Sequence, residues 1–204
     1  MAAGELVVDI GAGSGMLTRA LLGAGARVVA IEPDRRLGAR LRELPVTLVA
    51  RDVLTAEWPK EPFRVVANLP FLHTADICRR LLSDPAIPLV SADLVVEWDF
   101  AAKRARLWPS TAQTVVWSAW YELAVVRRIE RSAFSPPPSV AAGVLRARRR
   151  SEPLVPPREA GRYERFVRRG FREGRTARDR DPHAWADAFT SGAVRTVHGM
   201  RRPR

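Results

Sequence analysis

The chain has 204 residues, 47% of them hydrophobic, a single cysteine and a formal net charge of +12. That length allows one well-buried core with a small appendage, the lone Cys78 excludes an internal disulfide, and no His/Cys grouping has metal-ligand spacing. No apolar run reaches the roughly 18 residues of a membrane span and the first residues lack a basic leader, so a cytoplasmic protein without metal or membrane attachment is expected.

Glu5-Leu6-Val7-Val8-Asp9-Ile10 is an apolar run of strand length, followed at once by Gly11-Ala12-Gly13-Ser14-Gly15 and then by the helical stretch from Met16 to Leu22. Strand, glycine loop and helix together form a ligand cradle, because glycines let the backbone come close and the helix N-terminus offers free N–H groups. Asp9 disfavours a pyrophosphate and favours an ammonium or sulfonium. With Met at position 16, the Gly-x-Gly-x-Gly spacing misses the dinucleotide fingerprint. A plain structural glycine turn is the competing reading.

Residues 26–31 read as a second buried strand ending at Glu32, about 20 residues past the loop, where dinucleotide-type folds place the acid for ribose hydroxyls. Capping of a helix from Asp34 to Glu43 is the competitor for that acid. A third strand over 46–50 ends near Asp52, whose carboxylate can accept from an adenine amino group. Phe63 to Ala67 is a fourth strand, delivering Asn68-Leu69-Pro70-Phe71. There the proline has no N–H and holds Leu69 extended, so carbonyls of Leu69 and Pro70 can face a ligand. Asn68 adds an amide and Phe71 a flat face, a set suited to a planar base carrying an amine. Four strand ends thus bring Asp9 with the glycines, Glu32, Asp52 and Asn68 to the edge where open α/β sheets bind ligands.

Further on, Thr74 to Leu82 reads as a helix, 92–96 as a fifth strand and 97–104 as a helix. Thr114 to Val126 is expected to form a long bent strand and Val140 to Ala147 another. Five of the six tryptophans fall between residues 58 and 120 and are assigned to packing. His73 is placed at the substrate mouth without a catalytic role. Phe134-Ser135-Pro136-Pro137-Pro138-Ser139-Val140 is a stiff connection that cannot lie inside a sheet, and is read as a rigid loop beside the site. After a linker from Ser151 to Pro157, residues 158–204 read as a basic helical appendage with one apolar stripe of Tyr163, Phe166, Val167 and Phe171. Residues 146–204 hold 17 arginines against 7 acids, whereas residues 1–145 hold 17 basic residues against 15 acids. A basic tail beside a near-neutral domain suits a nucleic acid.

The segments Asp9 to Gly15, Glu32, Asp52, Asn68 to Phe71 and Phe134 to Val140, in that order, resemble the rRNA adenine N6-methyltransferases, which comprise the Erm resistance enzymes and their KsgA-like relatives. The resemblance covers roughly residues 5–150. It implies a Rossmann-like, seven-stranded α/β methyltransferase domain over residues 1–150, using S-adenosylmethionine, with a basic, mainly helical RNA-binding tail over 151–204. Gly11, Gly13 and Gly15 with Asp9 would hold the methionine part of the cofactor, Glu32 its ribose and Asp52 its adenine. Asn68, also counted with the cofactor site, and the Leu69 carbonyl would take the target amine, with Pro70 shaping the loop and Phe71 stacking on the base. Phe166 to Arg172 looks like the family's first C-terminal helix, which assigns Arg168, Arg169, Arg172 and Arg175 to RNA. Relatives carry a segment ahead of the first strand with a Gln-Asn-Phe-type motif. This sequence begins at that strand, so either a longer protein or an open, weak cofactor site is expected.

The implied activity is methylation of an adenine of 23S rRNA by a monomer, giving macrolide–lincosamide–streptogramin B resistance. A small-subunit 16S rRNA dimethyltransferase is the alternative. A catalytically idle RNA-binding or assembly protein is a second alternative, and a DNA adenine methyltransferase, whose usual motif has Asp at the place of Asn68, is a weaker third.

Overall fold

The strand Leu6–Ile10 (β1) is buried at every position, as a strand in the middle of a parallel sheet must be when both faces are covered. The computed structural model describes residues 3–173 and 180–192. Its further strands are β2 (Arg27–Ile31), β3 (Thr47–Val49), β4 (Phe63–Asn68), β5 (Leu89–Glu97), β6 (Tyr121–Ile129) and β7 (Ala142–Arg149). They form a seven-stranded sheet in the order β3-β2-β1-β4-β5-β7-β6. β1 to β5 run parallel, and β7 is antiparallel to both of its neighbours. The order reverses between β1 and β4, which opens a crevice at their carboxyl ends.

The helices α1 (Met16–Gly23), α2 (Arg35–Leu41), α3 (Thr74–Leu82), α4 (Trp98–Arg104), α5 (Ala112–Ser118), α6 (Ala160–Glu173) and α7 (Pro182–Thr190) complete the described chain. Local chemistry sets several of their starts. Asp34 caps α2 by accepting from the N–H groups of Arg36 and Leu37, and Asp181 caps α7 by accepting from Ala184 with Pro182 next in line.

The strand expected over 114–126 is corrected. Its first part is α5, whose Thr111 cap accepts from the Thr114 N–H, and the strand proper begins at Tyr121. Val115, Val116 and Trp117 are β-formers by propensity, yet all are buried in the core, and tertiary packing overrides the local preference.

One hydrophobic cluster joins the sheet to the C-terminal segment. Tyr163 and Val167 of α6 and Trp185 of α7 are buried with Leu81, Trp117 and Trp120. The stretch 151–157 lies against that core, for Val155 is fully buried and its carbonyl accepts from the Trp120 indole at 3.0 Å. The apolar stripe of α6 is therefore a packing face, and its arginines are left for the opposite side.

Candidate active site

Four strand ends, those of β1 to β4, meet at one cavity of about 470 Å³, lined by Ile10, Gly11, Ile31, Glu32, Pro33, Asp52, Val53, Leu54, Asn68, Leu69, Pro70, His73 and Ile77. Polar groups come from the ends of β2, β3 and β4, while isoleucines, Val53 and Leu54 supply flat apolar walls. A cavity of this size and character suits a nucleoside-sized ligand. Gly11, at φ 68, has no protein atom within 4 Å of where a Cβ would stand, so a side chain there would occupy ligand space. The residue set fits S-adenosylmethionine, with carboxylates for hydroxyl and amino groups, apolar walls for a purine, and no lysine or arginine among the lining residues to repel a sulfonium.

Glu32 is buried and doubly anchored, accepting the Gly13 N–H on Oε2 and the Asp34 N–H on Oε1, each at 2.8 Å. Carboxylate oxygens have further lone pairs, so these bonds orient the group for a ligand. The capping role considered for Glu32 belongs to Asp34. Asp52 accepts the Leu54 N–H on Oδ1 at 2.8 Å and closes the turn that follows β3.

The Asn68 loop is braced from two sides. Leu69 donates its N–H to the Val95 carbonyl at 3.0 Å, and its side chain is buried. The Pro70 carbonyl accepts from the His73 N–H at 3.0 Å and the Thr74 hydroxyl at 3.2 Å. That carbonyl, expected to face a ligand, is spent on the turn, which leaves the Leu69 carbonyl and the Asn68 amide. Asn68 is exposed at the cavity. His73 is on the wall as expected.

The cavity does not include every residue singled out from the sequence. Asp9 is buried beneath the glycine loop, where its carboxylate accepts the Thr18 hydroxyl at 2.6 Å. Burial pushes its carboxyl upward, the Thr18 bond opposes the rise and the charge of Glu32 adds to it. Gly13 sits behind the wall as the donor to Glu32. Gly15, at φ 83, is the left-handed N-cap of α1, and a Cβ there would lie 3.0 Å from Leu41. Phe71 starts a 3-10 turn and stands outside the wall residues. Cys78 is a packed core residue, its thiol pushed up to about 12 by burial.

The proline-rich loop falls where a rigid flank was expected. Ala142, at the start of β7, pairs with Glu97, two residues beyond the Val95 that pairs with Asn68. The loop before it therefore lies at the carboxyl edge of the sheet. Among the described tail arginines, Arg168 is engaged by Glu164 at 2.7 Å and by Gln113, while Arg169 and Arg172 are exposed. Arg175 lies outside the described residues. Pro33, Val53, Leu54 and Ile77 were not foreseen as wall residues. Ile77 was within reach, since it follows His73 by one helical turn.

The sheet order, with a crevice at its carboxyl edge, is that of the Rossmann-like methyltransferase fold. A family model described as ribosomal RNA adenine dimethylase matches residues 3–179, and the chain belongs to that family. Among curated relatives, the mycinamicin-resistance protein MyrB of Micromonospora griseorubida is 38% identical over 165 residues, 79% of this chain and 52% of that protein. An rRNA adenine N-6-methyltransferase of Corynebacterium diphtheriae is 35% identical over 178 residues, 85% of this chain and 68% of its own length. The chain thus spans about half to two thirds of these relatives. Among solved structures, the 23S rRNA methyltransferase ErmE superposes with a TM-score of 0.73 at 28% identity, covering 93% of this chain and 91% of that one. A dimethyladenosine transferase from Plasmodium falciparum shares the fold at 20% identity, with a TM-score of 0.69. No helix among the described residues is long and apolar enough to cross a membrane, and no group of three or more His, Cys, Asp or Glu among them is arranged to hold a metal.

Proposed function

We propose that the protein transfers a methyl group from S-adenosylmethionine to the N6 amine of an adenine in 23S rRNA, acting as a monomer in the cytoplasm and giving macrolide–lincosamide–streptogramin B resistance. The observation that carries this reading is that Glu32, Asp52 and the Asn68-Leu69-Pro70 loop line one cavity. Bound there, S-adenosylmethionine supplies an electrophilic methyl. Glu32 binds ribose hydroxyls, and Asp52 accepts from the cofactor's adenine amine between the apolar walls. The Asn68 side-chain oxygen and the Leu69 carbonyl accept the two N6 hydrogens of the target, which draws the nitrogen lone pair out of ring conjugation and aims it. The nitrogen–carbon bond forms as the sulfur–carbon bond breaks, and the surplus proton leaves N6 for solvent. Acceleration comes chiefly from orientation. The target base has to leave its stack to reach the cavity, and Phe71, beside it, stacks on the extruded ring. Exposed Arg169 and Arg172 hold RNA phosphates.

The test is transfer of labelled methyl from S-adenosylmethionine to protein-free 23S and 16S rRNA by wild type and Asn68→Ala. Label on 23S that falls by at least about 100-fold in the variant supports the reading. Label confined to 16S selects the small-subunit alternative. Tight RNA binding with no label on either RNA makes the chain an RNA-binding protein.

A further inference from the structure

Arg80 is not among the residues that line the cavity, yet it holds the cavity's Asp52 wall from behind. It lies on α3, three residues beyond the wall residue Ile77. Its Nη1 donates to the Val53 carbonyl at 2.8 Å, and its Nη2 donates to the Ala56 carbonyl. The guanidinium is seated 5.0 Å from the ring centroid of Trp58, which in turn stacks on Phe63 of β4 at 6.0 Å. The planar fork therefore bridges α3 to both ends of the turn after β3 and is itself fixed in place.

One peptide unit transmits this hold. The Val53 carbonyl that Arg80 grips belongs to the same planar group as the Leu54 N–H, and that N–H donates to Asp52 Oδ1. Fixing the oxygen from behind fixes the hydrogen in front, and with it the carboxylate. The turn is closed further by the Thr55 and Ala56 N–H groups, both donating to the Asp52 carbonyl at 2.9 Å.

We propose that Arg80 is a positioning residue that sets the Asp52 carboxylate, and thereby makes the site selective for a 6-amino purine over a 6-oxo purine in the cofactor. The amino group donates to a carboxylate, whereas an oxo group would meet it lone pair to lone pair. This rests on the cofactor reading above. A lysine keeps the charge but has no fork to span two carbonyls, and a methionine keeps only the stem.

The test is calorimetric binding of S-adenosylhomocysteine and S-inosylhomocysteine to wild type, Arg80→Lys and Arg80→Met, with the melting temperature of each variant. Wild type is expected to prefer the adenosine ligand. Arg80→Met is expected to bind it about tenfold more weakly and to lose most of that preference, with Arg80→Lys restoring only part. Unchanged affinity, or equal weakening toward both ligands, overturns the role of Arg80 and leaves the cofactor reading standing. A folded wild type that binds neither ligand overturns the cofactor reading and this role with it.

Discussion

Gly13 donates its backbone N–H to the Glu32 carboxylate at 2.8 Å, so the glycine loop and the end of β2 form one hydrogen-bonded unit across 19 residues of sequence. Substituting Glu32→Ala leaves two backbone donors, those of Gly13 and Asp34, without their acceptor. The expected outcome is a stability loss of about 1–3 kcal/mol, read by urea unfolding, together with cofactor binding at least about tenfold weaker. Normal binding with normal stability would contradict this account.

Asp9 gives stability a pH dependence of its own. Because burial raises its pKa, the folded chain keeps this proton to higher pH than the unfolded chain does. Asp9's contribution is therefore present at acid pH and is lost as pH rises from the ordinary carboxylate range through the raised value. Asp9→Asn abolishes that titration and keeps an acceptor for Thr18. Relative to wild type, the variant's melting temperature is expected to improve between about pH 3 and pH 7, two values that bracket the start of the window. A difference that stays constant over the two pH values refutes the assignment.

Gly170 lets α6 lie directly on α7. A Cβ at this position would come within 2.5 Å of the buried Trp185 ring, which is also stacked on Phe171 and edge-on to Phe166. The ring is 2% exposed and held by both phenylalanines, so it cannot swing out to solvent without breaking those contacts. Gly170→Ala is expected to lower stability by about 1–3 kcal/mol through overpacking, despite the better helix propensity of alanine. A stabilised variant would show that the two helices are not docked in this way.

Arg169 and Arg172 project from α6 on the side away from its packing stripe. Replacing both with Gln is expected to leave the melting temperature near wild type and to weaken RNA binding. The slope of log affinity against log salt should become shallower by about 1 for each RNA phosphate that is no longer neutralised. An unchanged slope would place the RNA elsewhere on the surface.

Where local rules were sufficient, the sequence was legible to within a residue or two. The runs at 6–10, 27–31 and 63–68 are strands because continuous apolar stretches bounded by glycine, acid or proline suit buried parallel strands. The helix expected over Thr74 to Leu82 has those bounds in the structure. The strand expected over 114–126 fails where β-branched and aromatic residues are recruited into a buried helix. Apolar patterning does not distinguish such a segment from a strand, and the local sign of the helix is its Thr111 cap.

At the cavity, the order of strand ends and acids along the chain determined which positions reach the carboxyl edge, since a parallel sheet sends successive strand ends to the same side. Glu32, Asp52, Asn68, Leu69 and Pro70 were legible on that ground alone. Only the tertiary structure decided which of their atoms remain for a ligand. Pro70's carbonyl is used by His73 and Thr74, Asp9 is drawn inward by Thr18, and Gly13 serves Glu32. It also decided that Arg80 stands behind Asp52. Hydrogen-bond partners across 9, 19 or 27 residues depend on how helices settle on the sheet, and that packing has no signature in local periodicity or spacing.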